Sequence, residues 1–211
     1  MKQHHIITKD VPRETIDSAH KVYQEYNDQL KLYCDRLLWW NSRVNLVSRN
    51  VSRETLHKHI LHSLLLGGFS TFQDAGLVVD AGSGNGLPGI PLSLTNKNQC
   101  FVLNDVVTKK CLAMKQIFKR LNLQNITMAD CSIGDFKSQE PFLLISKHAF
   151  KIKELLDMTS HLPWSGIVLY KGLNYRQELK QVSEPLSIEV FDLSRTGEFF
   201  KDKAILFINI H

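Results

Sequence analysis

The stretch Val78-Val79-Asp80-Ala81-Gly82-Ser83-Gly84-Asn85-Gly86-Leu87-Pro88-Gly89-Ile90-Pro91 is an apolar run that ends in an acid and passes straight into four glycines. The run reads as a buried strand. The glycines tolerate positive φ and carry no Cβ, so a ligand can lie against the backbone where the strand turns into a helix. An ordinary turn has no need of four glycines, whose ordering is entropically unfavourable.

The loop can be read in two frames. Gly84-x-Gly86-x-x-Gly89 matches a dinucleotide fingerprint, with Asp105 about 20 residues further on, where a ribose-binding acid is expected. Asp80-x-Gly82-x-Gly84-x-Gly86 instead sets an acid before the first glycine, where its carboxylate can accept hydrogen bonds from the loop's own amides. The second frame suits S-adenosyl-L-methionine, which carries an amino acid and a ribose but no phosphate. An NAD-dependent dehydrogenase is the minor alternative.

The flanking sequence divides at about residue 70. Over residues 13–66 apolar side chains recur at helical spacing, as in Val22, Tyr26, Leu30, Tyr33 and Leu37. Ser52 with Glu54 and Thr55 reads as a helix start, and Gly67-Gly68 as its stop. Beyond that point short β-rich runs at 77–80, 100–105, 126–129, 142–146 and 166–170 alternate with helical stretches, the strongest at 108–121. Such alternation implies a parallel sheet with right-handed crossovers. The last two runs, 187–193 and 204–210, leave no room for a crossover helix and should pair antiparallel. The expected fold is α/β and Rossmann-like: the class I S-adenosylmethionine-dependent methyltransferase arrangement of seven strands, mostly parallel with an antiparallel last strand, under an N-terminal helical cap. The expected division is residues 1–70 for the helical segment and 71–211 for the cofactor-binding domain, packed as one compact unit.

The 211-residue chain is long enough for one sizeable core, and its +5 charge is compatible with a polyanionic partner. Cys34, Cys100, Cys111 and Cys131 form no CxxC pair, so reduced thiols and no metal site are expected. The opening MKQHHIITKD has no apolar core of a signal peptide, and no apolar run approaches a membrane span. A cytoplasmic, membrane-free monomer is expected.

Several segments then resemble, in collinear order, the bacterial ribosomal RNA small subunit methyltransferase G family, also called glucose-inhibited division protein B. They are Leu38-Trp39-Trp40-Asn41-x-x-Val44-Asn45-Leu46, His59-x-x-His62-Ser63-Leu64, the glycine loop with Leu87-Pro88-Gly89-Ile90-Pro91, Asp105 with Lys109-Lys110, and Lys171-Gly172. The resemblance implies transfer of a methyl group from S-adenosyl-L-methionine to guanine N7 in the decoding region of 16S rRNA, on the small ribosomal subunit. N7 already presents a lone pair, so no general base is expected, and alignment of the reactants is the main requirement. A cofactor- and rRNA-binding protein of the same fold, non-catalytic or retargeted, is the alternative.

The cofactor-binding residues expected are Asp80, Gly82, Ser83, Gly84, Gly86, Leu87, Asp105, Asp130, Ile133, Gly134 and Lys147, with Lys147 also the one catalytic candidate. Trp40, Asn41, Arg43, Arg49, Arg53 and Lys171 are the expected RNA contacts. Up to Ser70 the chain holds ten Lys and Arg against seven Asp and Glu, and basic residues near aromatics suit an unstacked base. At least one of Trp39 and Trp40 should instead pack between helices, and Asn41 should pin a helix junction. The chain departs from the family pattern at Ser132 and Lys147, where arginines are usual, and at His62, where aspartate is usual. Lysine lacks the planar fork of arginine. Cys131 reads as a packed thiol rather than a nucleophile.

Overall fold

The computed structural model describes residues 4–209. The chain order is β1 (His5–Asp10), α1 (Arg13–Glu25), α2 (Asn27–Asn41), α3 (Arg53–Leu64), α4 (Ser70–Gln73), β2 (Leu77–Ala81), α5 (Gly89–Thr95), β3 (Cys100–Asp105), α6 (Thr108–Arg120), β4 (Ile126–Asp130), β5 (Phe142–Lys147), α7 (Ile152–Thr159), β6 (Trp164–Gly172), α8 (Tyr175–Leu179), β7 (Ser187–Asp192) and β8 (Lys203–Asn209). The strands form one sheet in the order β1-β7-β8-β6-β5-β2-β3-β4. All described pairings are parallel except those of β8, which runs antiparallel to both β6 and β7. The antiparallel finish read from the sequence is therefore present; its residue 210 lies outside the described residues.

The sheet has eight strands, one more than expected, because β1 adds to its edge beside β7. All six of its residues are exposed. A strand with neither face buried has no alternation to reveal it; backbone pairing and the exposed ion pairs Lys9–Glu189 and Arg195–Asp10 accompany it.

Alternation does organise the central strands, whose successive side chains point to opposite faces. Val78, Leu143, Ile145, Val168 and Tyr170 join the hydrophobic cluster that also holds Leu30, Tyr33 and Leu37 of α2 and Ile60 of α3. Val79, Leu144, Ile167 and Leu169 join the opposite cluster, with Ile152 and Leu155 of α7 and Tyr175 and Leu179 of α8. The N-terminal helices thus cover one face of the sheet. Leu30, Tyr33, Leu37 and Ile60 are fully buried, with Val22 and Tyr26 partly so, and truncating Leu30 or Ile60 to alanine would remove about 2–5 kcal/mol. The start of α3 is fixed as its sequence suggested: Ser52 Oγ accepts from the Thr55 amide at 3.0 Å. No helix among the described residues is long and apolar enough to cross a membrane.

Candidate functional site

Between the C-terminal ends of the central strands and the segment joining α2 to α3 lies a cavity of about 870 Å³. Its floor is the glycine loop, and its formation follows from four hydrogen bonds made by three buried side chains. Asp80, at the end of β2, accepts from the Gly89 amide at 2.9 Å and so ties the start of α5 back to the strand. Asp105, at the end of β3, accepts from the Gly84 amide at 2.8 Å and from the Val107 amide at 2.9 Å. Tyr33 of α2, fully buried, donates its hydroxyl to the Asn85 carbonyl at 2.7 Å.

Of the residues expected to bind cofactor, Gly82, Ser83, Gly84, Leu87, Asp105, Ile133 and Lys147 line the cavity. At Gly84, with φ +46°, a Cβ would meet no atom nearer than 3.5 Å, whereas at Gly82 it would lie 2.5 Å from the Ala149 side chain. Four expected residues do not line it. Asp80 lies beneath the loop in its structural role. Gly86 and Gly89 make room for packing: an added Cβ would sit 2.4 Å from Ile90 and 2.7 Å from Leu103, respectively. Of the glycines that line the cavity, Gly82 belongs only to the Asp80-x-Gly82-x-Gly84-x-Gly86 frame and Gly84 to both frames, while Gly86, also common to both, does not line it. Asp130 is exposed, with Thr108 Oγ1 at 3.4 Å. Gly134 backs against the Met158 carbonyl and borders a separate depression with Lys137 and His161, while Ser132 Oγ accepts its amide at 3.3 Å.

The β5 end of the cavity is built from basic groups. Lys147 Nζ lies 3.0 Å from His59 Nδ1, which α3 carries into the cavity wall. Burial, opposed by nearby Asp80 and aided by Lys203, brings the Lys147 ammonium down to about 7. Burial and then Lys147 lower His59 to about 3, and His148, with φ +57°, falls to about 4 for the same reasons. His62 is fully buried with neither ring nitrogen partnered, edge-on to Tyr170 and Phe200. Burial pushes Asp80 up to about 8. This end of the cavity carries basic nitrogen atoms but little fixed positive charge at neutral pH. His59 was legible only as part of a motif; its approach to Lys147 spans 88 positions of sequence.

The loop after β5 is held from behind. Lys171, expected to face RNA, is buried and donates at 2.6 Å both to the Phe150 carbonyl and to Glu178, which accepts from the Ile152 amide at 2.9 Å. Buried, and with two of its three N–H donors engaged internally, this side chain is not at the surface to meet a phosphate.

Of the other expected RNA contacts, Asn41 is engaged internally, its Oδ1 accepting from the Leu46 and Val47 amides at 2.9 Å each. Arg53 pairs with Asp35. Trp40 packs half-buried against the core, whereas Trp39 is 46% exposed. Arg43 stacks on Trp39, its guanidinium carbon 3.6 Å from the ring centroid, and Arg49 is exposed. The exposed basic and aromatic surface is thus Trp39, Arg43 and Arg49. Cys131 is half-buried, with its thiol raised by burial and by Asp135 and Asp130, and so is a poor nucleophile.

The sheet order and the cavity at its C-terminal edge define a class I methyltransferase fold. Among solved structures, one designated an O-methyltransferase from Klebsiella pneumoniae superposes with a TM-score of 0.56 at 12% identity, covering 85% of this chain and 90% of that one. The METTL16 methyltransferase domain superposes with a TM-score of 0.51 at 14% identity, covering 75% and 68%. Sequence comparison is narrower. The family described as rRNA small subunit methyltransferase G matches residues 26–205, and this chain belongs to that family. Relatives named ribosomal RNA small subunit methyltransferase G include that of Chlorobium limicola, 30% identical over 204 residues, 92% of this chain and 91% of the relative. That of Vibrio campbellii is 34% identical over 179 residues, 82% and 83% of the two chains.

Proposed function

We propose that this protein transfers a methyl group from S-adenosyl-L-methionine to N7 of a guanine in 16S rRNA, acting in the cytoplasm as a monomer on the small ribosomal subunit. The observation that carries the reading is the cavity: one wall is the glycine loop with Asp105, and the facing wall, residues 46–59, comes from the N-terminal helical segment. We take that segment and the sheet to work as one unit, since the cavity needs both.

The residues present fit the cofactor. A volume of about 870 Å³ falls within the range of roughly 300–1,000 Å³ usual for such sites. Gly82 and Gly84 would lie against the methionine, Asp105 would hold the ribose hydroxyls, and Val106 and Ile133 offer apolar surface for the adenine. When bound, the cofactor supplies a methyl group on a positively charged sulfur. The chain's own part is to align the base with that methyl group and to exclude water. Guanine N7 is a free acceptor in the major groove, so no side chain needs to remove a proton. Lys147 and the histidines around it contribute little fixed positive charge beside a product that itself becomes cationic.

Calorimetric titration tests the premise. S-adenosyl-L-methionine should bind, and Gly84→Val should lose at least about 100-fold in affinity, because the side chain enters open cavity. Stronger binding of NAD than of the methyl donor would return the loop to its other frame. Mapping of N7-methylguanine in 16S rRNA from cells lacking the gene tests the reaction. An unchanged signal would leave a protein that binds cofactor and rRNA without catalysis, the reading to which Ser132 and Lys147 point.

A further inference from the structure

We propose that His59 reads the target base: its Nε2–H donates to O6 of the guanine whose N7 is methylated and so selects guanine over adenine. This inference rests on the function proposed above and names a specificity-determining residue for it.

The lateral order of the sheet locates the reacting end of the cavity. β2 lies between β5 and β3, so Asp105 and Ile133 stand on one side of the glycine loop and Lys147 on the other. With the ribose held at Asp105, Lys147 and Ala149, which packs against Gly82, would be the residues left to hold the methionine side of the cofactor. His59 is the side chain from the facing wall that reaches this end, through its 3.0 Å contact with Lys147. A base presented to the methyl group must therefore pass His59.

The environment of the ring decides what it can offer. Below about pH 7, where Lys147 is charged, it has only hydrogens to give, so Nδ1 accepts from it at 3.0 Å and the ring proton resides on Nε2. No hydrogen-bond partner of His59 Nε2 is present among the described residues. Phe199, edge-on at 5.0 Å between ring centroids, steadies the ring plane. Lys147, His148 and Lys203 surround the imidazole and, with burial, keep it neutral, so it carries one donor and no charge.

That single donor matches the difference between the purines. Guanine presents two acceptors, N7 and O6, on its major-groove edge; adenine replaces O6 by an amino donor. A donor at the O6 position bonds guanine and meets an opposing N–H in adenine. It also leaves the N7 lone pair free for the methyl group. Lys147 acts here as a positioning residue that fixes the tautomer of His59.

The test uses small-subunit particles reconstituted with 16S RNA ligated around a synthetic segment. At the target position the segment carries guanine or 2-aminopurine, which keeps N7 and lacks O6. The wild-type protein should show kcat/KM roughly 10- to 100-fold lower on 2-aminopurine. His59→Phe should methylate both at one reduced rate, and His59→Gln, which keeps an N–H, should retain part of the preference. Independently of activity, ¹⁵N spectra of the imidazole at about pH 6, below the Lys147 value of about 7 and above the His59 value of about 3, should show a neutral Nε2–H ring in the wild type and mixed tautomers in Lys147→Met. An Nδ1–H ring, or undiminished discrimination by His59→Phe, would overturn the proposal. Equal rates on both bases with wild-type protein would also overturn it while leaving the methyltransferase reading intact; no N7 methylation of guanine would remove both.

Discussion

Asp80 Oδ2 and the backbone amide of Gly89 meet at 2.9 Å, while Asp80 Oδ1 is buried without a partner. The acid at the end of β2 is therefore a structural tie for the loop rather than a ligand contact. Its other oxygen is best accommodated as a hydroxyl, in keeping with a titration pushed up to about 8 by burial.

A pH-dependent stability follows from that tie. Between the unfolded carboxyl value of about 3.9 and about 8, the folded protein keeps a proton that the unfolded chain releases, so this group's contribution to stability declines as pH rises through the window. Asp80→Asn keeps the acceptor for Gly89 and does not titrate. It should gain about 1 kcal/mol or more relative to wild type between pH 5 and pH 9, read from denaturant midpoints at the two values. An unchanged difference would show that Asp80 is ionised in the folded state.

His62 sets the acid side. Its folded value lies well below the usual 6.5, through burial first and then the neighbouring basic groups Lys147, His148, His59 and Lys203. The unfolded chain therefore takes up the proton first, and stability falls as pH drops below about 6.5. His62→Phe removes two buried unpartnered nitrogens and keeps an aromatic ring against Tyr170 and Phe200. We expect a gain of about 1–2 kcal/mol and a shallower decline in Tm from pH 7 to pH 5.

Lys171 and Glu178 hold the cavity wall from behind, at Phe150 and Ile152. Lys171→Met leaves Glu178 uncompensated in a buried position and should lower stability by about 3 kcal/mol or more. Because Phe150 is part of the cavity wall, cofactor affinity should fall as well. Lys171→Met combined with Glu178→Gln should recover part of the stability, which chemical denaturation would measure.

The two adjacent tryptophans should separate cleanly. Trp39→Ala, at a side chain 46% exposed and stacked by Arg43, should weaken RNA binding by about 1–3 kcal/mol with little change in Tm. Trp40→Ala, packed against the core, should reverse that pattern. Arg49→Ala should reduce the salt dependence of RNA affinity by about one unit of slope. Filter binding over a salt series, beside thermal melts, distinguishes the two.

The parts legible in the sequence are those settled by near neighbours. The Asp80-x-Gly82-x-Gly84 frame lies in one strand-turn-helix unit, and the antiparallel finish followed from too short a connection between the last two runs. Gly86 and Gly89 misled because a glycine shows where a side chain is missing and not what fills the gap, here Ile90 and Leu103. Trp39 and Trp40 are indistinguishable by type, and only the packing of α2 separates them. The Lys147–His59 contact and the internal pairing of Lys171 depend on elements far apart in the chain. β1 escaped notice for the opposite reason, having no buried face at all.

That exposed strand has a temporal consequence. Lys9 donates to Glu189 diagonally across β1 and β7 although 180 positions separate them in sequence. On a ribosome β1 is made long before β7, and until β7 follows it the apolar Ile6 and Ile7 wait without their strand partner.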